Sequence, residues 1–476
     1  MPQFWILGFT GVAYCIYLLE QPASVRSKAF GVWLAWVVKS GCAVWWMWSV
    51  YPIEWLPASL GQIQMLLIGF SWLMTAVSLG AGALVLVSGR VGFTALGKLP
   101  KWSYHFLIYP LLWVIGEMVG SLLFSIFFYG PGGTIGTDFS FGYVGYLIAQ
   151  HQWFIQVAQL AGVYGLSILI VVLAGGVVWW MQTNTVKPSW LVAIGLSLYL
   201  TGFVAWPTPT VSPVNNGYEV AFIETSFESR MFLSEDGVRA QRMALEDAMN
   251  AALASGATYI ILPEDSRYFD QSRSPSATRL LFALRHDDPE VVIVDSARAV
   301  VGGQTVQQAF VYNGPQETVD RFHKRYLVPQ GEYISSIYIK LFELFGMHDS
   351  LKYLGQDISY EVGPWTNQST GAKNIPAILF CFESFAPKGM KVLQAERPDM
   401  PFTVHIASHA WFHEPNSLWS QMEAMLKVQV IWTQQYLVSV GNMVESNIYT
   451  PQGQVLDGEV FETGEQWQVK LTTLPR

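Results

Sequence analysis

Charge is scarce in this 476-residue chain: Asp, Glu, Lys and Arg make up 13% of it, against roughly a quarter in soluble domains. With 51% hydrophobic residues and 20 tryptophans, that scarcity excludes an ordinary soluble protein over the full length. Only three cysteines are present, too few for a disulfide framework, and no Cys/His spacing resembles a zinc site. No metal ligands are expected. The N-terminus has neither a basic leader nor a small-residue cleavage site, so its first apolar run reads as a retained anchor rather than a removed signal peptide. Repeats and low-complexity tracts are missing too.

The charges that remain are unevenly spread. From Met1 to Pro213 there are four acids and seven Lys/Arg, a net of +3, whereas the rest of the chain carries a net of −11. The first part reads as membrane and the second as a soluble, acidic domain. An acidic domain argues against a nucleic-acid partner, which needs a basic footprint.

Six apolar runs stand out, at about 4–19, 29–50, 60–88, 103–129, 153–181 and 189–206. Most suit a bilayer core, which takes about 20 helical residues to cross. The expectation is a transmembrane domain over 1–206 with about six helices, a Pro/Thr/Ser/Asn-rich linker over 207–216 and a water-phase domain over 217–476. Basic residues cluster in alternate loops: Arg26 and Lys28, then Arg90, Lys98 and Lys101, then Lys187. Those loops are expected on the cytoplasmic side, which leaves the second domain extracytoplasmic. Lys39 and Glu117 interrupt apolar runs. Ionisable groups inside a membrane mark either a function or a buried pair, and interhelical pairing is the plainer reading. The loop from Tyr129 to His151 is rich in glycine and aromatics. It reads either as a lid or as part of an aromatic belt.

The second domain alternates strands with helices, which argues for α/β layers. Strands are expected at 218–223, 258–262, 291–294, 307–313, 317–323, 376–381 and 402–407. Helices are expected from Ser234-Glu235-Asp236 onward, near 274–286 and over 417–434. Pro451-Gln452-Gly453-Gln454 reads as a hairpin turn.

Chemistry gathers at three strand ends. Glu264 follows Leu262-Pro263, Lys324 follows Phe322-His323, and Cys381 closes Ile378-Leu379-Phe380. Cys15 and Cys42 lie in membrane-like sequence, so Cys381 is the one thiol placed for water-phase chemistry. Each residue also has a bland reading: a small core residue for Cys381, a helix cap for Glu264, a surface charge for Lys324. Together they permit covalent catalysis. A carboxylate takes the thiol proton, the sulfur attacks a carbonyl, and an ammonium holds the oxyanion.

These residues, in this order, resemble the nitrilase (carbon–nitrogen hydrolase) superfamily, and within it the membrane-bound apolipoprotein N-acyltransferase family. Lys324 followed by Leu327-Val328-Pro329-Gln330-Gly331-Glu332-Tyr333 matches one family pattern, and Ala410-Trp411-Phe412 matches another. Trp113 with Glu117, and Gln159-Leu160-Ala161-Gly162, match in the membrane part. The resemblance implies a multi-span helical membrane domain followed by an α-β-β-α sandwich. It implies Glu264 as general base, Lys324 as oxyanion stabiliser and Cys381 as nucleophile, with Glu332 supporting the lysine and Phe382 and Glu383 beside the thiol. It further implies a phospholipid acyl donor, an apolipoprotein acceptor, no cofactor, and a bacterial inner membrane with the catalytic domain on the periplasmic side. Several positions depart from the family pattern. Ser408-His409 stand where the family has Asn-Asp, and His413 stands in place of a glycine. Ser439 to Val444 replaces Arg-Ala-Thr-Asn-x-Gly, Phe382 a tyrosine and Gly120 an arginine. The chain is also expected to be one span short of the family at the front and to end without the family's span after the nitrilase domain.

Overall fold

A computed structural model describes residues 5–54, 61–97, 99–183, 217–229, 231, 234–269, 291–301, 304–313, 318–344, 346, 374–413 and 416–475. The expected span at 189–206, the linker at 207–216 and the helix near 274–286 lie outside those residues.

Among the described residues three stretches are long and apolar enough to cross a membrane: Ile63–Ala95, Lys101–Phe127 and Phe154–Thr183. Trp5–Glu20 is a shorter apolar helix of 16 residues. The second apolar run departs from its expected extent. It is α-helical only over Val25–Ala43 and then tightens into a 3-10 turn, Trp45–Val50. That turn aims the Trp46 ring at Phe141, Phe385 and Phe412, and tertiary aromatic packing of this kind leaves no periodic trace in sequence.

The helices meet closely. A side chain on Gly120 would place its first carbon 2.4 Å from the Leu79 carbonyl oxygen. The family's arginine therefore has no room at this helix crossing, where small residues let backbones approach. Glu117 and Lys39 pair across helices, 3.9 Å apart. Glu117 also accepts from Trp113 Nε1–H (3.2 Å), the Val144 N–H (2.8 Å) and the Ser167 hydroxyl (2.8 Å). Lys39 lies over the Trp36 ring at 4.4 Å.

Among the described residues twelve strands follow the apolar helices: β1 Tyr218–Thr225, β2 Tyr259–Ile261, β3 Val292–Val301, β4 Gln304–Asn313, β5 Thr318–His323, β6 Ala377–Phe380, β7 Thr403–Ser408, β8 Leu437–Asn442, β9 Asn447–Tyr449, β10 Val455–Leu456, β11 Glu459–Thr463 and β12 Trp467–Leu474. They pair in two runs. One is β12-β1-β2-β3-β4-β5, with β11 on β12; the other is β6-β7-β8-β9-β10. The Thr225–Asn442 pair bridges them.

Alternation along the strands sorts their side chains. Val220, Phe222 and Ile261 of the first run share one apolar cluster with Ile378, Phe380 and Val404 of the second. The opposite face of the first run, with Ala221 and Ile223, packs on the helix Glu235–Ala254. Ser234 caps that helix by accepting from the Gly237 N–H at 3.1 Å, with Glu235 and Asp236 in its first turn, as the helix dipole favours. Leu379, Ala407 and Leu437 of the second run join a cluster with Met390 and Met422, from the helices Gly389–Glu396 and Asn416–Thr433. That cluster continues into the apolar helices. Gly162 turns left-handed (φ +57) where the Trp432 ring crosses it, 2.3 Å from where a side-chain carbon would sit. Two aromatics of the 129–151 loop face inward: Phe139 and Phe141 are buried against Phe382.

Candidate active site

Glu264, Lys324 and Cys381 each sit just past a strand, which fixes their positions. Lys324 leaves β5, and its backbone N–H donates to the Gln307 carbonyl at 2.9 Å. Its ammonium, only 1% exposed, donates to Glu264 at 2.8 Å and to Glu332 at 2.7 Å. The other Glu332 oxygen accepts the Val328 N–H at 2.8 Å, which folds the Val328–Glu332 loop back onto the lysine.

Cys381 is not the last strand residue, as expected, but the first of a 3-10 turn, Cys381–Phe385. Glu383 builds that turn. Its carboxylate accepts the Phe380 N–H at 2.9 Å and the Arg325 N–H at 2.5 Å. It thus ties the cysteine turn to the residue after the lysine. Phe382 points away from this polar cluster, into Phe139, Phe141 and Phe385.

Burial and charge decide the protonation states. Burial, with help from Glu332 and Asp265, pushes Glu264 up to about 7 against the pull of Lys324. Burial works against the Lys324 ammonium, but Glu264, Glu332 and Cys381 outweigh it and keep the lysine charged. Burial and the Glu264 charge raise the Cys381 thiol, opposed by Lys324 and by the Ser408 N–H. The resting state is therefore a thiol beside a carboxylate that titrates near neutrality. Such a pair needs proton transfer at the moment of attack.

Sequence reasoning missed several supporting groups. His405, within β7, faces the Cys381 carbonyl with Nε2 (3.4 Å) and the Ser439 hydroxyl with Nδ1 (2.8 Å). Burial lowers its pKa to about 4, so the ring is neutral. The Ser384 hydroxyl donates to the same Cys381 carbonyl at 2.7 Å. The signal for His405 was a lone ionisable residue in the stretch Phe402–Ala407.

Known proteins match this chain along most of its length. Residues 1–176 match the family described as the apolipoprotein N-acyltransferase N-terminal domain. An apolipoprotein N-acyltransferase from Gloeobacter violaceus is 24% identical over 447 residues, which is 93% of this chain and 80% of that protein. Another, from Nitrosomonas europaea, is 22% identical over 332 residues, covering 68% of this chain and 63% of that protein. The chain is a divergent relative of the apolipoprotein N-acyltransferases. Among solved structures, a glutamine-dependent NAD+ synthetase from Acinetobacter baumannii aligns with 55% of this chain and 48% of its own at 14% identity, with a TM-score of 0.34.

Part of the divergence from the apolipoprotein N-acyltransferase pattern falls beside the thiol, at Ser408. The Ser408 hydroxyl accepts from Asn442 Nδ2 at 3.1 Å, and the His409 N–H donates to the Asn442 carbonyl at 2.9 Å. His409 is 1% exposed, and its Nδ1 has no hydrogen-bond partner.

Proposed function

We propose that this chain is a membrane-embedded N-acyltransferase working through a Glu264–Lys324–Cys381 triad. The supporting observation is the buried Lys324 ammonium shared by Glu264 and Glu332 within electrostatic reach of the Cys381 thiol. The donor is a phospholipid and the acceptor is the N-terminal amine of a diacylglyceryl-cysteine apolipoprotein, by likeness to the relatives. The domain is read as the nitrilase-type α-β-β-α sandwich. It is held on the periplasmic side of a bacterial inner membrane by about six spans.

The cycle has two halves. In the first, Glu264 takes the Cys381 proton as the sulfur attacks the ester carbonyl of the phospholipid. Lys324 holds the tetrahedral oxyanion. The C–O bond breaks, Glu264 returns the proton to the departing lysophospholipid alcohol, and a thioester remains. In the second, the acceptor amine attacks the thioester and Glu264 takes its proton. The C–S bond breaks, and the thiolate recovers a proton from Glu264. Two successive displacements at one cysteine make a ping-pong sequence. It requires no metal or organic cofactor.

Incubation with acyl-labelled phospholipid tests this reading. The expected result is a label on Cys381, lost in Cys381→Ala and transferred to a lipopeptide amine. The reading fails if no adduct forms with any phospholipid.

A second reading concerns the acceptor alone. Ser408-His409 in place of Asn-Asp favours a different amine, or water, in the second half-reaction. Free fatty acid released in the presence of lipopeptide, with no amide formed, would establish it.

A further inference from the structure

Glu264 lies on a turn whose main chain is held by two consecutive residues of the neighbouring strand. The Asp295 carboxylate, 1% exposed, accepts three bonds: the Ser266 hydroxyl at 2.6 Å, the Tyr268 N–H at 3.2 Å and the Phe269 N–H at 2.9 Å. The Ser296 hydroxyl accepts the Asp265 N–H at 2.7 Å and donates to the Pro263 carbonyl at 3.5 Å. It therefore brackets Glu264 on both sides. The Ser296 carbonyl accepts the Arg267 N–H at 2.9 Å. Two residues of the turn, Asp265 (φ 61) and Arg267 (φ 52), are left-handed. Side-chain-bearing residues hold that conformation only where the surroundings impose it.

The chemistry of the clamp is informative. A fully buried carboxylate is a costly anchor for a turn. Here every group pointing at it is a donor. An amide of the same shape would turn its NH2 towards one of them and lose that bond. The clamp fixes the Pro263–Phe269 main chain and leaves the Glu264 side chain to reach Lys324.

We infer that Asp295 and Ser296 are positioning residues that set where the Glu264 carboxylate stands relative to Lys324 and Cys381, acting through the main chain of this turn. The inference rests on the proposed role of Glu264 as the base. It predicts an effect on Cys381 that exists only while Glu264 carries its carboxylate.

The test is a cycle of four full-length proteins in detergent: wild type, Asp295→Asn, Glu264→Gln and the double variant. The readout is the pH midpoint of iodoacetamide alkylation, resolved to the Cys381 peptide, and it needs no acyl donor. Glu264→Gln should lower the midpoint by roughly one unit, since a neighbouring negative charge is removed from the thiol. Asp295→Asn should also move the midpoint, and should add nothing in the Glu264→Gln background. Acylation by phospholipid should fall roughly tenfold to a hundredfold in Asp295→Asn, the scale of a misplaced catalytic group. Ser296→Ala should give the same pattern with smaller size, and it carries the cycle if Asp295→Asn does not fold. An unmoved midpoint in the folded single variant overturns the inference, as does an equal shift in both backgrounds or a change in melting temperature alone. If wild-type protein gives the alkylation pattern but takes no acyl group from phospholipid, the acyltransferase reading fails and the positioning role stands.

Discussion

One oxygen of Glu383 accepts the Arg325 N–H at 2.5 Å while the other accepts the Phe380 N–H at 2.9 Å. The residue after the lysine and the residue before the cysteine thus share one buried acid. β5 and β6 lie in different pairing runs, so this carboxylate ties the segment after Lys324 to the turn that carries Cys381. Glu383→Gln keeps the shape but offers one acceptor to two donors. Leaving one buried N–H unsatisfied costs about 1–3 kcal/mol. Acylation of Cys381 should slow more than tenfold while the protein remains folded, as followed by label incorporation beside thermal unfolding. An unchanged rate would show that the spacing is held elsewhere.

Lys324 is bonded to two carboxylates at 2.8 and 2.7 Å and is almost fully buried. Removing its charge does two separable things. Lys324→Met leaves two acids without their counter-charge, and breaking a buried pair in this way costs about 3–5 kcal/mol. On the proposed mechanism it also removes the oxyanion donor, worth about 10²–10³ in rate. The triple variant Lys324→Met, Glu264→Gln, Glu332→Gln should recover much of the stability and none of the acylation. Recovery of both would mean that the lysine serves only to balance its neighbours.

The pH profile follows from Glu264, which burial raises to about 7. A general base works only when deprotonated. Acylation should therefore fall about tenfold per pH unit below that value and level off above it. In Asp265→Asn the midpoint should move down, because Asp265 is one of the charges raising it. A rate independent of pH from mildly acidic to neutral conditions would remove Glu264 from the proton path.

Local features of this fold were legible. The Ser234 cap, the strands leading to Glu264, Lys324 and Cys381, and the hairpin at Pro451 to Gln454 are each written within a few neighbouring residues. Their causes, capping, alternation and turn chemistry, are short-range. The cysteine turn was less legible. Its 3-10 form depends on Glu383 reaching Arg325, 58 residues away in sequence. The Asp295–Ser296 clamp was invisible for the same reason, since an aspartate in an apolar strand announces burial but not its partners. The inward turn of Phe139 and Phe141 belongs here too. An aromatic loop between spans reads alike whether it faces lipid or protein, and only the facing Phe382 and Phe385 decide it.

The pair within the apolar helices gives a last prediction. Glu117 receives Trp113, Val144 and Ser167 and lies 3.9 Å from Lys39, so it joins three helices and the segment at Val144. Each of those donors loses its acceptor in Glu117→Leu, and Lys39 keeps an uncompensated charge. The single variant should lose about 3–5 kcal/mol, as broken buried pairs do. Lys39→Met alone should cost less, because Glu117 retains its three neutral donors. The double variant Lys39→Met, Glu117→Leu should be more stable than Glu117→Leu, since no charge is left stranded, yet less stable than wild type, since Trp113, Val144 and Ser167 remain unpaired. Reversible unfolding in detergent measures all four. If the double variant is no better than Glu117→Leu, the two charges are not coupled, and Glu117 serves the helices only as a hydrogen-bond acceptor.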